Sequence, residues 1–99
     1  MSSKSLYITV NHLDEYGGAQ TFRIDDELIL KKDLDNPFDD EAIAVFNNHN
    51  IRCGYVANSV YSVARGTKSA GFIYNLIKHN HKCIVRFIIE EYLICEIIQ

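Results

Sequence analysis

Ninety-nine residues, 47% of them apolar and 11% aromatic, amount to one domain over 1–99 and exclude wholesale disorder. The formal charge of −3 is unevenly spread. Residues 1–41 hold ten acids and four bases, residues 42–89 hold six bases and no acid, and Glu90, Glu91 and Glu96 follow. Such asymmetry permits a local basic face on an acidic protein, although solvated surface lysines are the plainer explanation.

The segment LYITVNHL alternates apolar and polar residues, with Leu6, Ile8 and Val10 on one face, and predicts a half-buried strand. Gly17-Gly18 breaks it with a loop. ELILKK is a short strand, and LDNPFDD is a turn, since Asn-Pro favours turn initiation and proline cannot donate to a central ladder. EAIAVFN and IRCGYVA, joined by NHN, predict a hairpin over 41–57. The period then changes. NSVYSVARG predicts a helix capped by Asn58 or Ser59 and ended by Gly66, and SAGFIYNLIKH a second, capped by Ser69 with Ile73, Leu76 and Ile77 on one face. HKCIVRFIIEEYLICEII predicts two strands joined at Glu90-Glu91. The fold class expected is mainly β with two short α-helices, a small barrel in one domain.

Cys53, Cys83 and Cys95 are odd in number and lack Cys-x-x-Cys spacing, which argues against a secreted disulfide framework. Buried reduced thiols and a cytoplasmic location are expected. The N-terminal MSSKSLYITV has no apolar h-region, and no stretch approaches the ~18 consecutive apolar residues of a membrane helix.

The stretch LILKKDLDNPFDDEAIAVFNNHNIRCGYVANSV resembles the core of the HIRAN domain family: a strand, a D-N-P-[YF]-D turn, A-I-x-V, a short turn and G-Y-V. GYVANSVYSVARGTKSAG also resembles small stand-alone bacterial HIRAN proteins. The resemblance implies a modified, OB-like barrel that holds the 3′ end of single-stranded DNA and recognises its terminal hydroxyl. It implies that Phe38 is a stacking platform, that Asp39 accepts from the hydroxyl and that Asn36 touches the DNA end. Phe87 matches a ring that stacks on a base, and Tyr16 an aromatic after the first strand. Tyr55 and Asn58 stand where DNA-binding members carry a histidine and a lysine, Glu15 where they carry an arginine, and Phe38 where they carry a tyrosine. These departures remove positive charge from the phosphate path. Arg52, Lys68, Lys82 and Arg86 are the candidate phosphate contacts that would compensate.

Each of these has a plainer reading. Asp39 can serve the turn's own amides, Phe38 can plug the barrel end, and Phe87, in an apolar run, reads as core. His79 and His81 are too few for a metal site, so neither metal nor cofactor is expected. Asp39-Asp40 and Glu90-Glu91 are adjacent pairs that point apart on a strand, and no nucleophile elbow or phosphate loop exists, so no catalytic residue is expected. Two functions remain open. One is a non-enzymatic module for the 3′ end of single-stranded DNA, as in DNA repair or replication. The other is a protein-interaction module that kept the barrel and lost DNA affinity. They are separated by whether Arg52, Lys68, Lys82 and Arg86 share one groove with Phe38 or scatter.

Overall fold

Apolar residues at every second position need a common interior, and a closed sheet supplies it. A computed structural model describes residues 5–98. Six strands run as β1 (Leu6–Asn11), β2 (Glu27–Lys32), β3 (Ile43–Phe46), β4 (Arg52–Val56), β5 (His81–Ile89) and β6 (Tyr92–Ile97). All pairings are antiparallel and the ladder closes in the order β1-β4-β3-β2-β5-β6, which leaves no free edge. The inward set is Ile8 and Val10, Leu28 and Leu30, Ile43 and Val45, Val56, Cys83 and Val85, and Leu93, Cys95 and Ile97, all buried. The expected mainly β barrel is present, with β4 and β5 on opposite walls.

Gly54 allows the β1–β4 crossing. A Cβ there would lie 2.6 Å from the Asn11 carbonyl oxygen and 2.9 Å from Leu13 Cδ2.

The helical content is smaller than expected. Ser69 caps as predicted, its hydroxyl accepting from the Phe72 amide, but α1 spans only Ala70–Ile73. Of its expected apolar face, Ile73 and Ile77 are buried and Leu76 is exposed. NSVYSVARG forms no helix and is a series of turns. Tertiary bonds take up its polar groups: the Ala64 amide donates to Thr9 Oγ1 at 3.0 Å and Thr67 Oγ1 pairs with the same hydroxyl at 2.8 Å. The segment thereby roofs the outer face of β1, buries Thr9, and leaves Val60 87% exposed.

A second correction concerns Phe87. Strict alternation from Cys83 and Val85 puts it in the core. The β5–β6 register instead pairs Val85 with Cys95 and Phe87 with Ile94, so Arg86 is one extra residue on β5. A bulge of this kind moves every following side chain to the other face. Ile88 turns in toward the core and Phe87 turns out, 57% exposed.

The three thiols are buried and free. Burial pushes Cys53 up to about 12, with the nearby Cys95 adding to the rise. The contact with Cys95 and then burial push Cys83 well above the usual thiol range. Across the strands, Cys83 faces Ile97 and Cys95 faces Val85.

Candidate nucleic-acid interface

A cleft of about 980 Å³ lies on the β4 wall. Three loops frame it: the segment after β1, the β2–β3 turn and the chain leaving β4. The β2–β3 turn is held by Asn36, whose Oδ1 accepts from the amides of Phe38 (2.8 Å) and Asp39 (3.0 Å). This Asx-type turn is the reason asparagine precedes the proline. Asn36 Nδ2 donates to Asp33 Oδ2 at 3.3 Å, so the side chain serves the turn on both sides. Phe38, by contrast, plugs nothing. Its ring is 95% exposed at the lip of the cleft.

Asp39 sits beside it in a polar frame. Its Oδ1 accepts from the Glu41 amide at 2.8 Å and its Oδ2 from Asn58 Nδ2 at 3.0 Å. Asn58 in turn accepts from the Gly71 amide at 2.8 Å and so ties the turn to the start of α1. Glycine at position 71 leaves room for the Glu41 carboxylate, whose Oε1 would lie 2.6 Å from a Cβ there and would have to swing aside. Asn58 therefore positions Asp39, and each Asp39 oxygen keeps lone-pair capacity for a further donor.

The floor is Tyr55. Its hydroxyl donates to Asp33 Oδ2 at 2.9 Å and receives Arg52 Nη1 at 3.2 Å. Burial, followed by the Asp33 hydrogen bond, raises its ionisation above the usual tyrosine range. Arg52 also approaches the exposed Glu15 at 3.8 Å. Tyr16 lines the cleft but is committed to the fold: its ring packs on Phe22 at 5.3 Å and its hydroxyl accepts from Asn47 Nδ2 at 2.6 Å.

Two lining residues were missed in the sequence. His12 has left-handed backbone (φ 58°) and meets Tyr55 edge-on at 6.5 Å. Asn11 Oδ1 is buried with no hydrogen-bond partner among the described residues. No pattern flags either one, because both depend on how β1 ends.

Charge around the cleft is mostly negative: Asp14, Glu15, Asp33, Asp35 and Asp39 against Arg52. The four candidate phosphate contacts scatter, and Arg52 is the one of them that lines the cleft. Lys68 lies over the Phe72 ring at 4.8 Å. Lys82 and Arg86 are on the opposite wall, in ion pairs: Lys82 with Glu27 (3.5 Å), and Arg86 with Asp25 (2.7 Å) and Glu96 (2.8 Å). Phe87 shares that wall, so it is not brought together with Phe38. His81 is also taken up by the fold, its Nδ1 accepting from the Lys78 amide and its Nε2 lying 2.7 Å from the Ile98 carbonyl oxygen. Among the described residues no three His, Cys, Asp or Glu side chains are placed to hold a metal ion, and no helix is long and apolar enough to cross a membrane.

No family profile matches the chain, and no curated protein is significantly similar in sequence. Solved structures do share its fold. The HIRAN domain of human HLTF superposes with a TM-score of 0.63 at 22% identity, over 94% of this chain and 74% of that one. A protein from Lactobacillus plantarum superposes with a TM-score of 0.57 at 18% identity, over 97% and 98% of the two chains.

Proposed function

We propose that this chain, an OB-like barrel with the HIRAN fold, is a non-enzymatic nucleic-acid-binding module whose cleft takes the free 3′-hydroxyl end of single-stranded DNA. The observation that carries the reading is the Phe38 ring, 95% exposed on a rigid turn beside a carboxylate. An apolar ring held out in water contributes nothing to the core. It offers a nucleobase a stacking surface worth about 1–3 kcal/mol, tolerant of base identity. Asp39 accepts from the terminal hydroxyl. A terminal phosphate in its place would meet Asp39 and the other cleft carboxylates as like charges. The acidic cleft thus favours an end over a length of strand, at the cost of modest affinity. The buried thiols of Cys53 and Cys83, held protonated, support a binding role over nucleophilic chemistry.

A fluorescence anisotropy titration at low salt, with matched oligonucleotides ending in 3′-hydroxyl or 3′-phosphate, tests this. The hydroxyl end is expected to bind more tightly, and Asp39→Asn to shrink the difference. Asparagine is the cleaner probe because its oxygen still accepts from the Glu41 amide, whereas alanine would remove that bond as well as the one from Asn58. Equal binding of the two ends by wild-type protein would reject the assignment.

A second reading rests on a different observation. The scatter of Arg52, Lys68, Lys82 and Arg86 favours a protein-interaction module that kept the barrel without DNA affinity. It is the reading that stands if neither oligonucleotide binds.

A further inference from the structure

Beside the acidic cleft, and sharing Asp33, Arg52 and Tyr55 with it, is a shallow recess of about 190 Å³ on the outer face of β2, β3 and β4. Its charge is the reverse of the cleft's. Lys31, Lys32, Arg52 and His79 line it, and Asp33 is the one carboxylate in the lining. That carboxylate already accepts from Tyr55 and Asn36. Register explains the gathering: Lys31 pairs across to Ala44 and on to Tyr55, while the next row out brings Phe46 against Arg52. Lys31 Nζ lies 4.5 Å from the Phe46 ring centre, Lys32 Nζ 4.6 Å from that of Tyr74, and the Arg52 guanidinium 5.4 Å from that of Tyr55. Neither lysine has a carboxylate partner among the described residues. Two lysines over aromatic rings, one of them bonded only to the neutral Asn50, and Arg52, whose contact with Glu15 is long at 3.8 Å, make a track for a polyanion beside the cleft.

We propose that Lys31 and Arg52 on the β2–β3–β4 face, with Lys32 at its rim over Tyr74, form a phosphate track along which a single strand runs away from the end held in the cleft. The inference rests on the end-binding reading of the cleft and adds the route of the remaining chain. It also assigns the electrostatic role to two lysines outside the four cations first considered. The division of labour is physical. The cleft repels phosphate and selects a hydroxyl. The face beside it attracts phosphate and supplies affinity that grows with strand length.

The test uses 5′-labelled oligothymidylates with free 3′-hydroxyls, a dinucleotide and a strand of about ten nucleotides, titrated over a range of salt. The longer strand is expected to bind more tightly. Three cations predict a slope of log K against log salt near about −2, since each single-strand phosphate contributes about −0.7. The double variant Lys31→Gln, Lys32→Gln is expected to lower ten-nucleotide affinity about tenfold and flatten the slope by about 1.4. The dinucleotide should be affected much less, and the hydroxyl-to-phosphate preference not at all. Lys31→Arg, Lys32→Arg is expected to retain binding, which separates loss of charge from loss of fold. Unchanged ten-nucleotide affinity and slope in the glutamine variant would overturn the track while leaving the cleft reading intact. If wild-type protein shows no end preference yet loses affinity in the glutamine variant, the track stands and the cleft reading falls. Absence of binding by either strand at low salt overturns both.

Discussion

Two walls of one barrel use their cations in opposite ways. On β5, Lys82 and Arg86 are tied to Glu27, Asp25 and Glu96. Hydrogen bonds from Ser5 and then Arg86 hold the Glu96 carboxyl below the usual carboxylate range, and its bond in turn raises Arg86. On the β2–β3–β4 wall, Lys31 and Lys32 lie on rings, and Arg52 has only a long contact with an exposed glutamate. Each wall also displays an aromatic: Phe87 on β5 and Phe38 at the cleft lip. The comparison teaches that a cation count says little about ligand binding. What counts is which cations have spent their charge inside the molecule. By that measure the β5 wall has no cation to spare, its two being matched by three carboxylates, and the β2–β3–β4 wall has.

The largest expected effect falls on the interior that both walls share. Ile43 is fully buried between them, and Ile43→Ala is expected to cost about 2–5 kcal/mol through the cavity left behind. Thermal or denaturant unfolding would measure it, and an unchanged midpoint would mean that β3 presents its other face. The buried thiols give a pH-dependent version of the same test. The ionisation of Cys53 and Cys83 lies above the usual value of 9.0 in the folded chain, at about 12 for Cys53. Unfolded thiols lose protons first as pH rises. Their contribution to stability is therefore complete below pH 9.0 and is lost as pH climbs through about 12. A Cys53→Ala variant should flatten that alkaline decline in melting temperature.

Next comes the pair of rings. Phe38→Ala is expected to weaken oligonucleotide binding by about 1–3 kcal/mol with little change in melting temperature, since the ring packs on nothing. Phe87→Ala should leave binding alone. The reverse result would move the ligand to the β5–β6 wall. Smallest is Arg86→Gln, which removes exposed ion pairs worth under about 1 kcal/mol and should not alter DNA affinity or its salt slope.

Much of this was legible in the chain. All six strands were expected, β1 from alternation and the others from short apolar runs between turn signals, and the D-N-P-F-D turn lies at the candidate cleft. The gaps share a cause, which is that they depend on partners distant in sequence. NSVYSVARG has helical spacing, but Thr9, on β1, captures the Ala64 amide and the Thr67 hydroxyl and holds the segment as turns. One extra residue, Arg86, reverses Phe87, and no local pattern marks the bulge. Lys31 and Lys32 end an ordinary strand. Only the register against Ala44, in the row beside Phe46 and Arg52, puts Lys31 on a common face with them, while Lys32 pairs with Ile43 and reaches the ring of Tyr74. Asn58, which the resemblance places on the DNA path, lines the cleft and also braces Asp39, a tie between residues 19 apart that no local pattern shows.

The central claim is that ligand meets the Phe38 cleft and the adjoining lysine face, not the opposite wall. Amide chemical-shift mapping of ¹⁵N-labelled protein, titrated with a 3′-hydroxyl oligothymidylate at low salt, tests it most directly. The account predicts shifts at Phe38, Asp39, Tyr55 and Lys31, with the amides of Lys82, Phe87 and Ile89 unmoved. Shifts centred on Phe87 and Ile89, with Phe38 and Asp39 silent, would contradict it.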